Sequence, residues 1–566
     1  MKLRYIHVQN LPPLEDVSIV FQQSSVLAKP LAVHFVAGVN GTGKTSLLQA
    51  ITETFISLAR SRAELPFPIT IAYDLGNSQN RTILLVVPAE GDKTTALIEF
   101  ESVLPTDVDW EQIARISIEP ESVLPYPVSH RYSGGDLPGG GSIEAYLPTA
   151  LMVYTSGSAA SWQGLFSNQV AIRGNADSST PADEVLERPI GWDAWREFEH
   201  LKLQGTEPNR PKQTGSFNSN LNTQSYGVFM SSEQIKLAVC ALALYESIRT
   251  TKQKHAQEQE QNAEKYPDKG YRHLLEQIEW DYPTALSITI NFQPDRISRA
   301  HSVQLYDLLQ LANRVRREPE PGTHRLLSFD LQSTISNTIV YKTPAMGVPN
   351  LLIEALYQIF GGEDATPYKV FQTLYEWQQS GLLTDLSFAI KKSNLEDLIL
   401  YDWLSDGERM FLGRFAIIYL LQDEHDAFIV LDEPETHFND VWKRRLMEIV
   451  YLSLGQKASE VLISTHSSIV LTDVPSSQIV LLVKNEDGNT QAVDLLNPTF
   501  GADPSDFMIS VLDTGQAGGT YSIKVLKEAL KRQDSDELRQ LLEIVSPGYW
   551  RFRIRDVLEQ IDAASN

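Results

Sequence analysis

Cysteine is nearly absent: the 566 residues include one, Cys240. A single thiol excludes an intramolecular disulfide framework and any cysteine-rich zinc site. Long apolar runs are missing too. No stretch reaches the roughly 18 apolar residues of a membrane span, and the opening MKLRYIHVQN has no continuous apolar signal region. Positive charge is in deficit, 48 Lys+Arg against 72 Asp+Glu, for a formal net charge of -24. That balance argues against a sequence-independent DNA coat, which needs a dominant basic surface, but leaves room for a local basic groove or for nucleic acid held by a partner. Neither a 20–50-residue repeat nor sustained heptads occur, so a solenoid, a propeller and a long coiled-coil arm are not expected. A lone thiol without an export signal predicts a cytoplasmic protein with no membrane association.

What is present is a globular composition, 42% hydrophobic and 21% charged. At roughly 150 residues per domain the length predicts three or four domain-sized units. Leu3–Ile6 and Val17–Phe21 read as short strands, and the nearly all-apolar Leu31–Val36 as a strand buried on both faces. A glycine-rich turn follows, then a helix over Thr45–Ala59. Strand signals separated by turn residues between Pro66 and Val103 predict an antiparallel sheet. Loops are expected over 133–142 and 204–224, and a helix from Ser231 to about Tyr266, buried at its start and polar at its end. Further helices are predicted at Arg299–Arg317 and Asn350–Phe360, with strands near Ala285–Asn291 and 338–341. In the last third, the apolar runs Ala427–Leu431 and Val461–Ser464 flank a helix at Val441–Tyr451, the spacing of a parallel crossover.

Gly38-Val39-Asn40-Gly41-Thr42-Gly43-Lys44-Thr45 matches G-x-x-x-x-G-K-[ST] in full, directly after a strand and opening a helix. Glycines let successive backbone N–H groups turn inward around phosphate oxygens, and the helix adds the positive end of its dipole. Lys44 is then placed to reach the β and γ phosphates and the Thr45 hydroxyl to coordinate Mg²⁺. The nucleotide-binding set is Gly38, Asn40, Gly41, Thr42, Gly43, Lys44, Thr45 and Ser46.

A phosphate loop alone suits kinases, GTPases and ATPases equally. The strand ending at Leu431 runs into Asp432-Glu433-Pro434-Glu435-Thr436-His437. Beside the phosphate loop, Asp432 is placed to hold Mg²⁺, and Glu433 to polarise an attacking water. Leu404-Ser405-Asp406-Gly407-Glu408 precedes an apolar helix and forms either an anion cradle or an ordinary N-cap. Ser464-Thr465-His466-Ser467 closes the next strand, where His466 either contacts the γ-phosphate side or is a hydrogen-bonded structural residue.

Taken in order, these motifs resemble the ABC-type ATPases, including the RecF, SMC and OLD-like branches of the AAA family. The resemblance implies an α/β P-loop head with a mixed sheet, helices on both faces and an antiparallel β subdomain. It implies Walker A at Gly38–Thr45, a signature at Ser405 and Gly407, Walker B at Asp432 with Glu433 catalytic, and His466 as switch histidine. It also implies ATP and Mg²⁺ as cofactors and a homodimer in which Ser405 and Gly407 act in trans on nucleotide held by Lys44 of another copy. Asp406 and Glu408 stand where transporters usually carry Gly and Gln, which counts against a transport ATPase. Gln163 and Gln169 are candidates for the Q-loop position.

The expected division is 1–200 for the N-terminal half of the head, 201–395 for a mainly helical insertion, 396–500 for the C-terminal half and 501–566 for a helical tail. The tail lacks the features of an OLD-type nuclease domain; its Asp534-Ser535-Asp536 run reads as a helix start. Length, the compact insertion, Thr499-Phe500-Gly501 and the ending Pro547–Arg555 are similar to the PtuA family of Septu anti-phage systems, also found in some retrons. That likeness implies a separate HNH nuclease partner of the PtuB kind and, in a retron, a reverse transcriptase with its RNA-linked DNA. The alternative is a RecF-like repair ATPase acting directly on DNA.

Overall fold

The computed structural model describes residues 1–22, 30–60, 65–76, 80–88, 95–119, 122–133, 138, 140–166, 226–258, 271–277, 279–292, 299–317, 324–334, 351–362, 365–393, 395, 397–454, 457–495, 497–510 and 519–565. They form two compact units, Met1–Phe500 and Gly501–Asn566.

Strands β1 (Lys2–Leu11) and β2 (Leu14–Val20) pair antiparallel and largely alternate between buried and more open positions, the pattern of half-buried strands. β3 (Ala32–Ala37) is buried at every residue, as its apolar run predicts. After the phosphate loop comes α1 (Lys44–Ala59). β4 (Ile69–Leu75), β5 (Arg81–Val87) and β6 (Ala96–Phe100) follow, then α2 (Trp110–Ser117) and β7 (Val128–Ser133). The antiparallel sheet expected from Pro66 to Val103 is present and larger than predicted, because β1 and β2 extend it to the order β2-β1-β4-β5-β6-β7.

The chain then supplies β8 (Leu151–Thr155), β9 (Val228–Phe229) and α3 (Ser232–Glu258). Inserted next are α4 (Tyr271–Gln277), β10 (Trp280–Asn291), α5 (Arg299–Leu311), β11 (Arg314–Arg317) and β12 (His324–Asp330). They are followed by α6 (Leu352–Gly361), α7 (Pro367–Gln379), β13 (Leu383–Lys392) and β14 (Leu398–Leu400). This region is not simply helical, as expected for 201–395: it contains a five-stranded antiparallel sheet in the order β11-β12-β10-β13-β14.

The helix expected to continue to Arg317 stops at Leu311. Asn313 takes a backbone hydrogen bond from Asp330 on its side-chain oxygen (2.6 Å) and donates its own N–H to Ser328 (3.0 Å). That side-chain acceptor offers the backbone an alternative to helix, and Arg314–Arg317 continues as an edge strand. Arg314 and Arg316 therefore project from a sheet edge and not from a helix face. The calls for a loop at 204–224 and a strand at 338–341 lie outside the described residues.

The rest of the first unit comprises α8 (Asp406–Leu420), β15 (Phe428–Asp432), α9 (Asp440–Leu454), β16 (Glu460–Thr465), α10 (Ser468–Leu471), β17 (Ile479–Lys484) and β18 (Thr490–Asp494). The predicted crossover is there, since β15 and β16 pair parallel. Together they build a seven-stranded sheet, β18-β17-β3-β16-β15-β8-β9, parallel throughout except at β18.

One continuous apolar core joins the two head sheets through α1. Leu47, Leu48, Ile51 and Phe55 pack among Ile6, Ile71 and Leu85 of the antiparallel sheet and Val153, Val430 and Leu462 of the parallel one. Phe55 lies edge-on to Tyr73 at 5.1 Å and to Phe428 at 5.6 Å between centroids. The helix is buried on more than the one predicted side, and its buried hydroxyls are satisfied locally: Thr52 donates to the Leu48 carbonyl (2.8 Å) and Thr54 to that of Ala50 (2.7 Å). The resulting layout is α/β, with the seven-stranded sheet that carries the phosphate loop backed by the antiparallel sheet.

The second unit contains α11 (Pro504–Ser510), α12 (Thr520–Arg532), α13 (Ser535–Ile544) and α14 (Tyr549–Ser565). A small core of Leu526, Ala529, Leu538, Ile554, Val557 and Leu558 holds the last three. Asp534 caps α13, accepting from the N–H groups of Asp536 and Glu537, so the Asp534-Ser535-Asp536 run is a helix start.

Candidate active site

Because β3, β8, β15 and β16 run parallel, the loops that follow them open at one edge of the sheet, where ligands bind in such folds. Register aligns that edge: Thr465 lies opposite Ala37, and Asp432 opposite Thr155 on one side and Ser464 on the other.

The phosphate loop leaves β3 at Gly38, whose φ is 152°; a Cβ there would stand 2.5 Å from the Leu482 carbonyl oxygen. Gly43, at φ 85°, caps α1 and has Pro13 and Leu14 side-chain atoms 2.9 Å from where a Cβ would sit. Both positions require glycine for conformation and for space. The Thr42 hydroxyl donates to the Val39 carbonyl at 2.9 Å, and Thr490 from β18 donates to the Thr42 carbonyl at 3.0 Å. Lys44, 6% exposed, donates to the carbonyls of Gly38 (2.9 Å) and Val39 (3.3 Å). Burial lowers its pKa, while the nearby carboxylates Glu433, Asp432 and Glu435 pull the other way. Asn40 and Gly41 are exposed at the tip, and Ser46 lies half-buried in the first turn of α1.

Asp432 ends β15 and is 4% exposed. Three hydroxyls donate to its carboxylate: Thr45 at 3.1 and 3.2 Å, Thr155 at 3.0 Å and Ser464 at 2.5 Å. The Thr45 hydroxyl and Asp432 carboxylate are hard oxygen donors side by side, next to the lysine of a phosphate loop. That donor set fits Mg²⁺.

Glu433 turns into the left-handed region at φ 51°, which is unfavourable for a non-glycine residue by about 1–3 kcal/mol. Its neighbours hold it there. Its N–H points at both the Ser464 carbonyl (3.1 Å) and hydroxyl (3.0 Å), and its carbonyl accepts from the Ser156 hydroxyl (2.8 Å). At about 0.5–1.5 kcal/mol each, such bonds offset the strain. The side chain remains partly open to solvent, with Oε1 3.3 Å from Nδ1 of His466, itself half-exposed.

Ser405 caps α8 in a reciprocal box: its hydroxyl oxygen accepts from the Glu408 N–H at 3.3 Å, and its own N–H donates to the Glu408 carboxylate at 3.0 Å. The Ser405 hydroxyl also lies 2.8 Å from the same carboxylate. Lys392 forms an ion pair with Glu408. Asp406 and Gly407 share a 940 Å³ cleft with Tyr154, Arg414 and His437. Arg414, buried in α8, donates to the Tyr154 hydroxyl (2.9 Å) and to the Thr436 carbonyl, and lies 4.6 Å over the Phe438 ring. The Ser405–Glu408 turn thus lies on the same side of the first unit as the loop after Asp432. No hydrogen bond among the described residues joins Ser405 or Gly407 to the phosphate loop of the same chain.

The structure therefore gathers Lys44, Thr45, Asp432, Glu433 and His466 at one edge and sets Ser405 and Gly407 beside a neighbouring cleft. Sequence reasoning missed Thr155, Ser156, Ser464 and Glu435. A hydroxyl pair directly after the buried strand Leu151–Tyr154 was the available signal for the first two. Gln163 is exposed on a helical segment after β8, and Gln169 lies outside the described residues.

Among the described residues no helix is long and apolar enough to cross a membrane. A family model described as "AAA domain, putative AbiEii toxin, Type IV TA system" matches residues 250–473, less than half of the chain. The matched span carries Ser405, Gly407, Asp432, Glu433 and His466 but not the phosphate loop. No curated protein matches. Among solved structures, the chain is similar to the Smc head domain of Pyrococcus furiosus, crystallised with an extended coiled coil and bound to the C-terminal domain of ScpA. The identity is 11% over 87% of this chain and 96% of that one, with a TM-score of 0.30. It is also similar to the SMC head domain of Thermotoga maritima, at 10% identity over 88% of this chain and all of that one, with a TM-score of 0.28.

Proposed function

We propose that this chain is an ATPase that binds ATP with Mg²⁺ at the phosphate loop and hydrolyses it to ADP and phosphate. The observation that carries the reading is the meeting of Lys44, Thr45 and Asp432 with the Glu433–His466 pair at one sheet edge. Backbone N–H groups from Gly41 to Ser46 cradle the phosphates, and Lys44 exchanges its loop carbonyls for phosphate oxygens. Thr45 and Asp432 hold Mg²⁺, which when bound neutralises charge on the phosphates. Glu433 accepts a proton from the attacking water, and His466 lies where it can orient that carboxylate. Ser405 and Gly407 have no partner in their own chain's phosphate loop, which favours a homodimer in which each copy's α8 N-terminus faces the other copy's nucleotide.

Within this reading the ATPase regulates a separate HNH nuclease in anti-phage defence, as the likeness to PtuA implies. In a retron setting a reverse transcriptase and its RNA-linked DNA join the complex. The supporting features are the net charge of -24 and the tail residues Pro547–Arg555. A RecF-like role directly on DNA is the second reading, favoured by Arg314 and Arg316 exposed along the edge strand β11. Co-purification with the products of adjacent genes separates the two. A bound HNH protein supports the first reading; salt-sensitive binding of bare duplex DNA that is lost in an Arg314→Ala/Arg316→Ala variant supports the second.

A further inference from the structure

Glu435 has no role in the scheme above, yet it is 1% exposed at the edge that carries the site. Its Oε1 accepts a hydrogen bond from the Thr465 hydroxyl. The same Thr465 oxygen accepts the Ser467 N–H at 2.9 Å. Thr465 and Ser467 bracket His466, whose Nδ1 stands 3.3 Å from Glu433 Oε1. Ser467 is also the residue from which α10 starts, and its own side chain makes no capping bond there.

A hydroxyl has one proton. While Glu435 takes it, the Thr465 lone pairs are aimed at the Ser467 N–H; without an acceptor the hydroxyl is free to turn and the aim is lost. Glu435 Oε2 is buried with no hydrogen-bond partner among the described residues. Leaving a carboxyl half-satisfied in the interior is unfavourable, and an apolar side chain would avoid it. Burial pushes this carboxyl up from the ordinary glutamate range. A glutamine amide oxygen can accept the same Thr465 hydroxyl.

We propose that Glu435 is a positioning residue: through Thr465 and Ser467 it fixes the backbone on both sides of His466 and so sets the imidazole against Glu433. The inference rests on the ATPase reading for its consequence in turnover, but not for the geometry it assigns.

The test compares the full-length protein with Glu435→Ala, Glu435→Gln, Thr465→Val, His466→Ala and the Glu435→Ala/His466→Ala double variant. Expected is a fall in kcat of roughly ten- to a hundredfold for Glu435→Ala and Thr465→Val, with KM for ATP within about twofold of wild type. Glu435→Gln, whose amide oxygen still accepts from Thr465, stays within about threefold of wild type. The double variant is no slower than His466→Ala, since both changes act through one imidazole. Losses that multiply in the double variant, or a Gln variant as slow as the Ala variant, overturn the proposal. A second readout needs no turnover: the His466 resonances of histidine-labelled protein, identified by their loss in His466→Ala. They should shift in Glu435→Ala and Thr465→Val and hold in Glu435→Gln. Unshifted resonances overturn the positioning role. Resonances that shift as expected in the variants, together with a wild-type protein that fails to hydrolyse ATP, support the role and overturn the ATPase reading instead.

Discussion

The Thr45 hydroxyl lies 3.1 Å from a carboxylate oxygen of Asp432, although 387 positions separate the two residues in the chain. Thr45 sits in the first turn of α1 and Asp432 at the last residue of β15, with β16 lying between β15 and the phosphate-loop strand β3. The contact ties the start of α1 to the end of β15. Thr155 from β8 and Ser464 from β16 approach the same carboxylate, so three elements, α1, β8 and β16, converge on one side chain of β15.

Asp432→Ala should therefore fail twice. It leaves three hydroxyls without their shared acceptor, which at about 1 kcal/mol per lost bond lowers stability by roughly 2–3 kcal/mol. It should also remove the magnesium dependence of nucleotide binding. Thermal melting and ATP titrations with and without Mg²⁺ check the two effects separately, and a variant that keeps a full magnesium response places the metal elsewhere.

Lys44→Ala is expected to abolish nucleotide binding while leaving the fold intact. Lys44 donates to the carbonyls of Gly38 and Val39 and sits among three carboxylates. Its loss removes an ammonium whose burial is already unfavourable, so the melting temperature should change little. Fluorescent-nucleotide titration is the measurement; affinity retained to within a few fold is the contrary result.

Glu433→Gln should lower kcat by about a hundredfold or more, the usual contribution of a positioned general base, with ATP affinity preserved. The amide keeps the backbone bonds to Ser464 and Ser156, because those involve the Glu433 main chain. Trapped ATP should also lengthen the lifetime of a dimer, seen by light scattering in the presence of Mg²⁺ and ATP. Hydrolysis at the wild-type rate would assign the base to another residue.

The capping box of α8 carries a pH signature. Burial pulls the Glu408 carboxyl up, but hydrogen bonds from Lys392 and Ser405 and the Lys392 charge outweigh it and hold it below the ordinary glutamate range. A carboxylate with a lowered native pKa contributes stability above its unfolded value, and that contribution is lost as pH falls through the native one. Glu408→Gln should thus destabilise by about 1 kcal/mol at neutral pH, and the gap from wild type should close in acid. Melting temperatures of the pair from pH 7 downward decide it: a gap constant across the range would mean that the ion pair and cap are not the source.

Much of the fold could be read from the chain before any coordinates. The apolar runs at β3, β15 and β16 announced a buried parallel sheet, and glycine spacing announced the loop after β3, because unbroken apolar runs and backbone sterics are properties of neighbouring residues. The insertion's sheet was harder to see. Arg314–Arg317 looks helical until Asn313 takes the Asp330 N–H, a bond to a residue in another strand. Local preference was overridden by a partner 17 positions away.

By itself the sequence determined the glycine-rich loop pattern and the strand-end carboxylates, since each is a short contiguous pattern; at Ser405 it left an anion cradle and an N-cap open, and the structure shows the cap. Only the tertiary structure decided that Thr155, Ser156, Ser464 and Glu435 belong to the same site. Their placement depends on strand register and on which neighbouring strand ends lie side by side, and those are set by burying apolar faces across the whole head. A hydroxyl at a strand end carries no local mark of the carboxylate it will meet.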